Sequence, residues 1–290
     1  FVQGGSQRLS SALARAVRVA GGEVLVRRVV SAVAMDPKGA VSTVTHTARD
    51  GSDPQKVEAV RIVSNAAPEA LAPLLPAAAG ERLTQTDNRH TPSISLFALT
   101  LGLSKPPREF GVAAYSTQLL PRQMRSLSDY AQGAALMADE PGEAMPPMSI
   151  VDYAAIDSGV PAPPYVLLIC GPDLLSNWDS SDMEAYREKR GRWQQAMVGY
   201  LDSNYPGLAA SVVASSFNTA LSVRQYLNAP HGAVYGFAPT PPRSIWRLPR
   251  RSPRTAVPGL YLASAYAGFG GYSGVIQSAG VCADMILRET

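Results

Sequence analysis

The sequence contains few of the residues that build metal centres or disulfide frameworks. It has two cysteines, Cys170 and Cys282, and three histidines, His46, His90 and His231. Two cysteines exclude a disulfide framework and a multi-cysteine zinc or iron–sulfur site. The histidines are scattered along the chain and predict no metal cluster. With so few thiols, a reducing cytoplasm is the default compartment.

Charged residues and long apolar runs are also scarce. Charged side chains make up 17% of the 290 residues, and the net charge is +3. A protein that binds nucleic acid shows a dense basic face, so we expect no nucleic-acid partner. No stretch of consecutive apolar residues reaches about 18, which a membrane-spanning helix needs.

The sequence opens with Phe1 rather than Met. Its first residues lack the charged region and the apolar region of a signal peptide. We therefore expect the later part of a longer chain, with a processed mature protein as the alternative.

Apolar residues are abundant, at 46% of the chain, which is enough to bury a large core. The first part reads as a helix over 7–20, with apolar residues every three or four positions, and then as three strands separated by turns rich in Gly, Asp and Pro. The strands are predicted at 23–33, 41–47 and 57–64. This order predicts a helix followed by a three-stranded antiparallel meander.

The middle of the chain gives less uniform signals. The patterns predict a short helix near 68–75, a linker at 76–92, strands at 93–103, 165–170 and 211–218, a long helix at 183–204, and an irregular segment at 228–256. The run 119–137 is weakly amphipathic and ambiguous.

The last part of the sequence reads as a strand, a glycine-rich loop and a helix. The strand is predicted at 259–264, the loop at 265–274 and the helix from Gly274 to Arg288. Glycines let a ligand approach the backbone, and the N-terminus of a helix presents free N–H groups and partial positive charge. Such a loop suits a phosphate, a carboxylate or the pyrimidine edge of a flavin. A plain tight turn is the alternative.

The same loop does not complete a dinucleotide fingerprint. The spacing Gly268-x-Gly270-x-x-Ser273 lacks the third glycine of G-x-G-x-x-G. A self-contained nicotinamide dehydrogenase is therefore disfavoured.

Two ends of the sequence carry a family resemblance. The stretches are GGEVLVRRVVSAV with VRIVSNAAPEALAPLLP, and VPGLYLASAYAGFGGYSGVIQSAGVCADMIL. Together they resemble the flavin-dependent phytoene desaturase, carotenoid isomerase and retinol saturase group of the amine-oxidase-like superfamily. The resemblance implies an α+β fold, with a partial FAD-binding domain at 1–75 and 255–290. It implies a substrate-binding domain with a mixed or antiparallel sheet at 76–254.

The resemblance also implies which residues lie near FAD. The backbone of Val29 would meet the adenine, and the stretch 64–66 would leave the sheet near the cofactor. The remaining cofactor positions lie at the end of the last strand, beside the ribityl chain, and in the loop and helix start that face the pyrimidine edge: Ala263 and Ser264, then Gly270, Gly271, Gly274, Val275 and Ile276. An ordinary strand valine and an Asx-type turn are the alternatives for Val29 and for 64–66.

The implied activity is that of an FAD-dependent oxidoreductase of the desaturase, saturase or isomerase type. Its substrate would be an apolar polyene-like molecule such as a carotenoid or retinoid. The strand–GxGxxG–helix that holds the pyrophosphate in this family has no counterpart before residue 66, so we expect this chain by itself to be inactive. The alternative is a non-catalytic module that binds an apolar ligand or a partner and keeps the fold without the cofactor.

Several side chains are open to two interpretations. The methionines of the middle segment suit a flexible apolar substrate or an ordinary core: Met124, Met137, Met145 and Met148. The run 119–137, with Arg122 and Arg125 on its polar face, suits peripheral contact with a membrane surface from the cytoplasm or a surface element of the domain.

Two further features lie just before the closing strand. Tyr235 and His231 would line the flavin face, or would be packing and turn residues. The arginines of the irregular segment suit contact with a membrane or phosphate, or a solvated loop: Arg243, Arg247, Arg250, Arg251 and Arg254.

Overall fold

The computed structural model describes residues 2–87, 90–239, 252–268 and 270–289. These residues form seven α-helices and ten β-strands, joined by turns and short 3-10 segments. In chain order they are α1 (Gln7–Val19), β1 (Arg28–Met35), β2 (Val41–Ala48), β3 (Gln55–Glu58), β4 (Ile62–Ser64), α2 (Pro68–Leu71), α3 (Ala77–Asp87), β5 (Ser95–Leu103), β6 (Ser116–Leu119), α4 (Tyr130–Ala135), β7 (Met148–Asp152), β8 (Tyr165–Asp173), α5 (Met183–Asn204), β9 (Val212–Asn218), α6 (Ala220–Leu227), β10 (Leu260–Leu262) and α7 (Gly271–Arg288).

The chain divides into two compact units. The five-strand unit comprises residues 1–24 and 95–223, and the parallel-pair unit comprises residues 25–94 and 224–290. These divisions differ from the boundaries expected from sequence, because α1 groups with the five-strand unit, whereas α3 and the segment after residue 223 group with the parallel-pair unit. Which unit binds substrate stays a prediction.

The five-strand unit is built on an antiparallel sheet with the order β6-β7-β8-β5-β9. Alternate residues of β5 face the core, and Phe97, Leu99 and Leu101 are completely buried. The same core contains Trp193 and Met197 of α5. Period-two burial in the strand, together with apolar residues at helical spacing in α5, accounts for this α+β packing.

The start of α5 shows why this helix is predicted well from sequence. Asp182 accepts hydrogen bonds from the backbone N–H groups of Glu184 and Ala185 at 2.9 and 3.0 Å. This N-cap satisfies donors that the first turn otherwise leaves unpaired. The helix ends at Asn204, shortly before Pro206, as the sequence predicts.

Most of the middle methionines are core residues. Met137, Met145 and Met148 are between 0 and 5% exposed and belong to the core of the five-strand unit. Flexible methionine side chains fill irregular gaps in a core. The core interpretation of these three methionines is therefore the correct one.

The run 119–137 is mostly not an α-helix. Its first residue, Leu119, ends β6, a 3-10 turn spans Leu127–Asp129, and only Tyr130–Ala135 forms α-helix. The carboxylate of Asp129 accepts hydrogen bonds from the N–H groups of Arg125 and Ser126, which fixes a turn before α4. Among the described helices, none is long and apolar enough to cross a bilayer.

The parallel-pair unit contains two small sheets. β1, β2 and β3 form an antiparallel meander, and β4 pairs with β10 in parallel. One core cluster includes side chains of both sheets and of the helices after β4, among them Val41, Leu71, Leu83, Leu260 and Leu262. The predicted meander is confirmed, although β1 starts at Arg28 rather than at residue 23.

The predicted third strand is in fact two strands. β3 ends at Glu58, Val60 is 86% exposed, and β4 begins at Ile62. The N–H of Ile62 donates to the carbonyl of Gly259 at 2.8 Å, which draws this stretch into pairing with the far end of the sequence. A partner so distant in sequence leaves no local signal.

The predicted linker 76–92 contains a helix. In α3, Ala79 and Leu83 are 2% and 1% exposed, and a Cβ on Gly80 would lie 2.6 Å from the carbonyl oxygen of Ala72. The segment is rich in Ala, which has high helix propensity, but few large apolar residues mark its buried face. Tertiary packing therefore stabilises a helix that periodicity does not reveal.

Candidate cofactor site at the end of the parallel strand pair

The two parallel strands of the parallel-pair unit end side by side. Leu262 of β10 lies opposite Ser64 of β4, and the next N–H, of Ala263, donates to the carbonyl of Ser64 at 2.9 Å. The carboxyl ends of parallel strands form the edge where open α/β sheets bind ligands. The structure thus brings together 64–66 and Ala263–Ser264, which the sequence assigns to one site.

Two serine hydroxyls shape the turns that follow these strands. The Oγ of Ser64 accepts a hydrogen bond from the N–H of Ala66 at 3.1 Å. The Oγ of Ser264 accepts one from the N–H of Tyr266 at 3.2 Å, and Ser264 is 2% exposed. Both hydroxyls are engaged in turn formation, so contacts from these stretches to a ligand would come from the backbone and from the exposed Asn65.

Helix α7 begins three residues earlier than predicted. Gly270 is its N-cap, and the structure shows no side-chain hydrogen bond to the cap and no acidic residue in the first turn. The first N–H groups of such a helix have no intrahelical acceptor and carry partial positive charge. Gly274 is buried within the first turn, whereas Ile276 is 61% exposed and Val275 is half-buried.

The glycines of the loop have different environments. A Cβ on Gly271 would meet no atom within 4 Å, and the φ of Gly271 is +78°. A Cβ on Gly270 would lie 2.5 Å from the Cβ of Tyr235, and one on Gly268 would lie 3.2 Å from the Cβ of Ser278. Gly271 leaves open space beside the backbone, whereas Gly268 and Gly270 allow close packing within the protein.

Val29 lies apart from the parallel pair, in the antiparallel meander. It is opposite Thr47 in β2 and 47% exposed. Its neighbour Arg28 forms an ion pair with Asp53 and donates from Nε to Nδ1 of His46 at 2.9 Å. The ordinary strand interpretation fits this position, and the adenine contact stays a prediction.

An aromatic cluster borders the loop, and sequence reasoning missed it. The ring of Phe237 contacts the ring of Tyr266 edge to face and the ring of His90 at a tilt, with centroids 5.0 Å apart in each pair. Burial, and secondarily the negative charge of Glu69, raises the pKa of Tyr266 to about 12. Tyr266 therefore stays a neutral phenol at physiological pH. The aromatic residues that recur after residue 230 were the sequence signal that could have revealed this cluster.

The other residues singled out from the sequence lie in different environments. Tyr235 lies against the loop through Gly270, whereas His231 is exposed. Arg254 forms an ion pair with Glu289 at the end of α7. The other arginines of the basic segment lie outside the described residues. Within the described ranges, no three His, Cys, Asp or Glu side chains are arranged to hold a metal ion.

The residues present fit a flavin at this edge. The open side of Gly271 gives a planar ring access to the backbone, and the uncapped start of α7 can stabilise negative charge on it. The joined ends of β4 and β10 would supply backbone contacts to the ribityl chain. The three features belong to the same unit of the chain.

Comparisons with known proteins find a partial match in sequence and broader matches in fold. No protein-family model matches the chain. The chain is 34% identical over 95 residues to the lycopene-forming phytoene desaturase of Pantoea ananas, a match that covers 32% of this chain and 19% of that protein.

Similar solved structures cover nearly the whole chain. An oxidoreductase from Methanosarcina mazei matches 99% of it with a TM-score of 0.58, and a putrescine oxidase bound to putrescine matches 99% with 0.54. Cyclohexylamine oxidase from Brevibacterium oxydans matches 97% with 0.50. Each of the three is 15% identical to this chain. The chain spans about half of their length: 55% of the Methanosarcina mazei oxidoreductase, 54% of the putrescine oxidase and 52% of the cyclohexylamine oxidase. The α+β fold expected from sequence is confirmed, and it is similar to the fold of these solved structures.

Proposed function

We propose that this chain is part of an FAD-dependent oxidoreductase that acts on an apolar, polyene-like substrate. The observation that carries the proposal is the parallel pairing of β4 with β10, whose strand end leads through the glycine-rich loop to Gly271 and the uncapped start of α7. A flavin, when bound, supplies two-electron or hydride transfer. The protein supplies binding, orientation and electrostatics.

The roles of the chain's own residues follow from their geometry. The first N–H groups of α7 would stabilise negative charge at the pyrimidine edge of the flavin. The turns after Ser64 and Ala263 would hold the ribityl chain through backbone groups. Tyr266, neutral at physiological pH, would donate or accept a hydrogen bond but would not act as a base.

The substrate class is supported by the curated relative rather than by the fold. That relative is named as a lycopene-forming phytoene desaturase, whereas two of the structural neighbours are named as a cyclohexylamine oxidase and a putrescine oxidase. We favour a carotenoid or retinoid because a 95-residue stretch of this chain is 34% identical to the desaturase. Desaturation, saturation and isomerisation are the reaction types that this proposal includes.

We further propose that the protein is cytoplasmic and touches a membrane surface, where such a substrate would reside. Leu127 is 83% exposed and Leu120 is 51% exposed, and Arg122 and Arg125 between them are exposed. Apolar side chains next to arginines favour an anionic bilayer surface. Co-sedimentation with anionic vesicles, but not with neutral ones, is the expected result, and Leu127→Ser should reduce it.

The central test is FAD binding by the purified protein, with any sequence that precedes residue 1 included, because the segment that would hold the pyrophosphate has no counterpart before residue 66. Binding is followed in the visible absorption spectrum. We expect flavin bands to shift with added FAD and Gly271→Ala to weaken binding, because a Cβ would occupy the open side of this loop. Gly39→Ala is the matched control, since Gly39 also has a positive φ, +79°, and open surroundings. Both changes strain the backbone, but only Gly271→Ala should alter flavin affinity.

Two results would contradict the proposal. Equal flavin affinity of the two variants would remove Gly271 from the site. A chain that binds no FAD but does bind a polyene would instead indicate the cofactor-free binding module.

A further inference from the structure

Tyr235 is held in place by backbone hydrogen bonds on both of its sides. The N–H of Tyr235 donates to the Oγ of Ser93 at 2.9 Å. The N–H of Val234 donates to the carbonyl of Ile94 at 3.3 Å, and the carbonyl of Gly236 accepts from the N–H of Ser93 at 2.7 Å. The backbone at this tyrosine is therefore fixed to the segment before β5.

Two glycines allow the same backbone to pack closely against the glycine-rich loop. A Cβ on Gly236, whose φ is +68°, would lie 2.5 Å from the carbonyl oxygen of Ala265. A Cβ on Gly270 would lie 2.5 Å from the Cβ of Tyr235 and 2.9 Å from its Cα. Real Cβ atoms do not approach so closely, so each contact requires glycine. The two contacts fix Tyr235 relative to both sides of the loop.

Although its backbone is fixed, Tyr235 is 43% exposed. Its second neighbour along the chain, Phe237, is 3% exposed and packs on Tyr266. An aromatic side chain normally buries its large apolar area. On a rigid backbone, an exposed aromatic ring loses little conformational entropy when it contacts a ligand, which favours binding.

We propose that Tyr235 is a positioning residue that stacks against the planar π-system of a ligand held at the loop. Two ligands of the proposed function share this chemistry, the isoalloxazine ring of the flavin and the conjugated chain of a polyene. The inference rests on the proposed function for the identity of the ligand, and on the Tyr235–Gly270 and Gly236–Ala265 contacts for the place of the ring.

The test compares Tyr235→Ala and Tyr235→Phe with Tyr226→Ala in the full chain. Tyr226 in α6 is 82% exposed and serves as the exposed-tyrosine control. FAD binding is measured by flavin fluorescence, and polyene binding by the fluorescence of retinol. We expect Tyr235→Ala to weaken binding of one ligand about tenfold or more and to change its emission, as expected for lost stacking. Tyr235→Phe, which keeps the ring, should retain the wild-type affinity and emission. Tyr226→Ala should change neither of them.

The outcomes separate this inference from the proposed function. If the chain binds FAD and Tyr235→Ala leaves the affinity and emission of both ligands unchanged, the inference is overturned and the proposed function stands. If the chain binds only retinol, and does so through Tyr235, the inference stands and the flavin function fails. If the chain binds neither ligand, both are overturned.

Discussion

The Oδ2 atom of Asp173 lies 2.8 Å from the indole Nε1 of Trp178, and Asp173 is completely buried. The same carboxylate accepts hydrogen bonds from the side-chain amide of Asn177 and from the backbone N–H groups of Leu174 and Ala220. These donors lie in the turn after β8 and at the start of α6, and Asp173 itself ends β8. One buried side chain therefore joins three segments of the five-strand unit.

The first prediction concerns this carboxylate. In Asp173→Asn, a side-chain NH₂ would replace one carboxylate oxygen. The buried N–H groups that donate to that oxygen would lose their acceptor. We expect the free energy of unfolding to fall by about 2 to 4 kcal/mol, measured by urea denaturation. Asp179→Asn is the control, because exposed Asp179 bonds only within its own turn, to Ser180 and Ser181, and the change should cost much less. Equal losses would show that Asp173 is not a special junction.

The second prediction contrasts two glycines within helices. A Cβ on Gly199 in α5 would meet no atom within 4 Å. Because alanine is the better helix former, Gly199→Ala should raise the free energy of unfolding by about 0.5 to 1 kcal/mol. Gly80→Ala in α3 should destabilise instead, by about 1 to 3 kcal/mol, because its Cβ would lie 2.6 Å from the carbonyl oxygen of Ala72. Thermal denaturation of the two variants measures both signs. Stabilisation by Gly80→Ala would disprove the close packing of α3.

The third prediction is an alkaline titration. The pKa of Tyr266 is raised to about 12, mainly by burial, whereas tyrosine in an unfolded chain has a pKa of about 10. Because the folded-state pKa is the higher one, the contribution of Tyr266 to stability is complete below about pH 10 and is lost as the pH rises towards 12. The phenolate absorbance of the wild type minus that of Tyr266→Phe should show one step near pH 12. A step near pH 10 would contradict the burial of this phenol.

The fourth prediction tests the packing that fixes Tyr235. Gly236→Ala places a Cβ against the backbone of Ala265 at a positive φ, so we expect a loss of about 2 kcal/mol or more in the free energy of unfolding. Gly51→Ala, at a φ of +84° with open surroundings, has the backbone strain alone and should lose about 1 kcal/mol. Urea denaturation of the two variants gives the comparison. Equal losses would mean that the Gly236–Ala265 contact relaxes easily.

The candidate site shows how far sequence reasoning reached. The loop, the closing helix and the strand before them were predicted, since glycine spacing and helical periodicity are local signals. The roles of the individual glycines were not predicted, because Gly270 and Gly271 are adjacent in sequence and differ only in backbone conformation and in what lies beside them. Tyr235 occupies the space beside Gly270, and the space beside Gly271 is open.

The sequence by itself determined α5, three of the five strands of the five-strand sheet (β5, β8 and β9) and the order of the antiparallel meander. These elements have side-chain periods and end signals within one segment of chain, and Asp182 and Pro206 mark the ends of α5. Only the tertiary structure decided that Ile62–Ser64 pairs with Leu260–Leu262, because hydrogen bonds between distant strands leave no local pattern. It likewise decided that α3 is a helix, because packing against the rest of the unit, rather than its own periodicity, stabilises that segment.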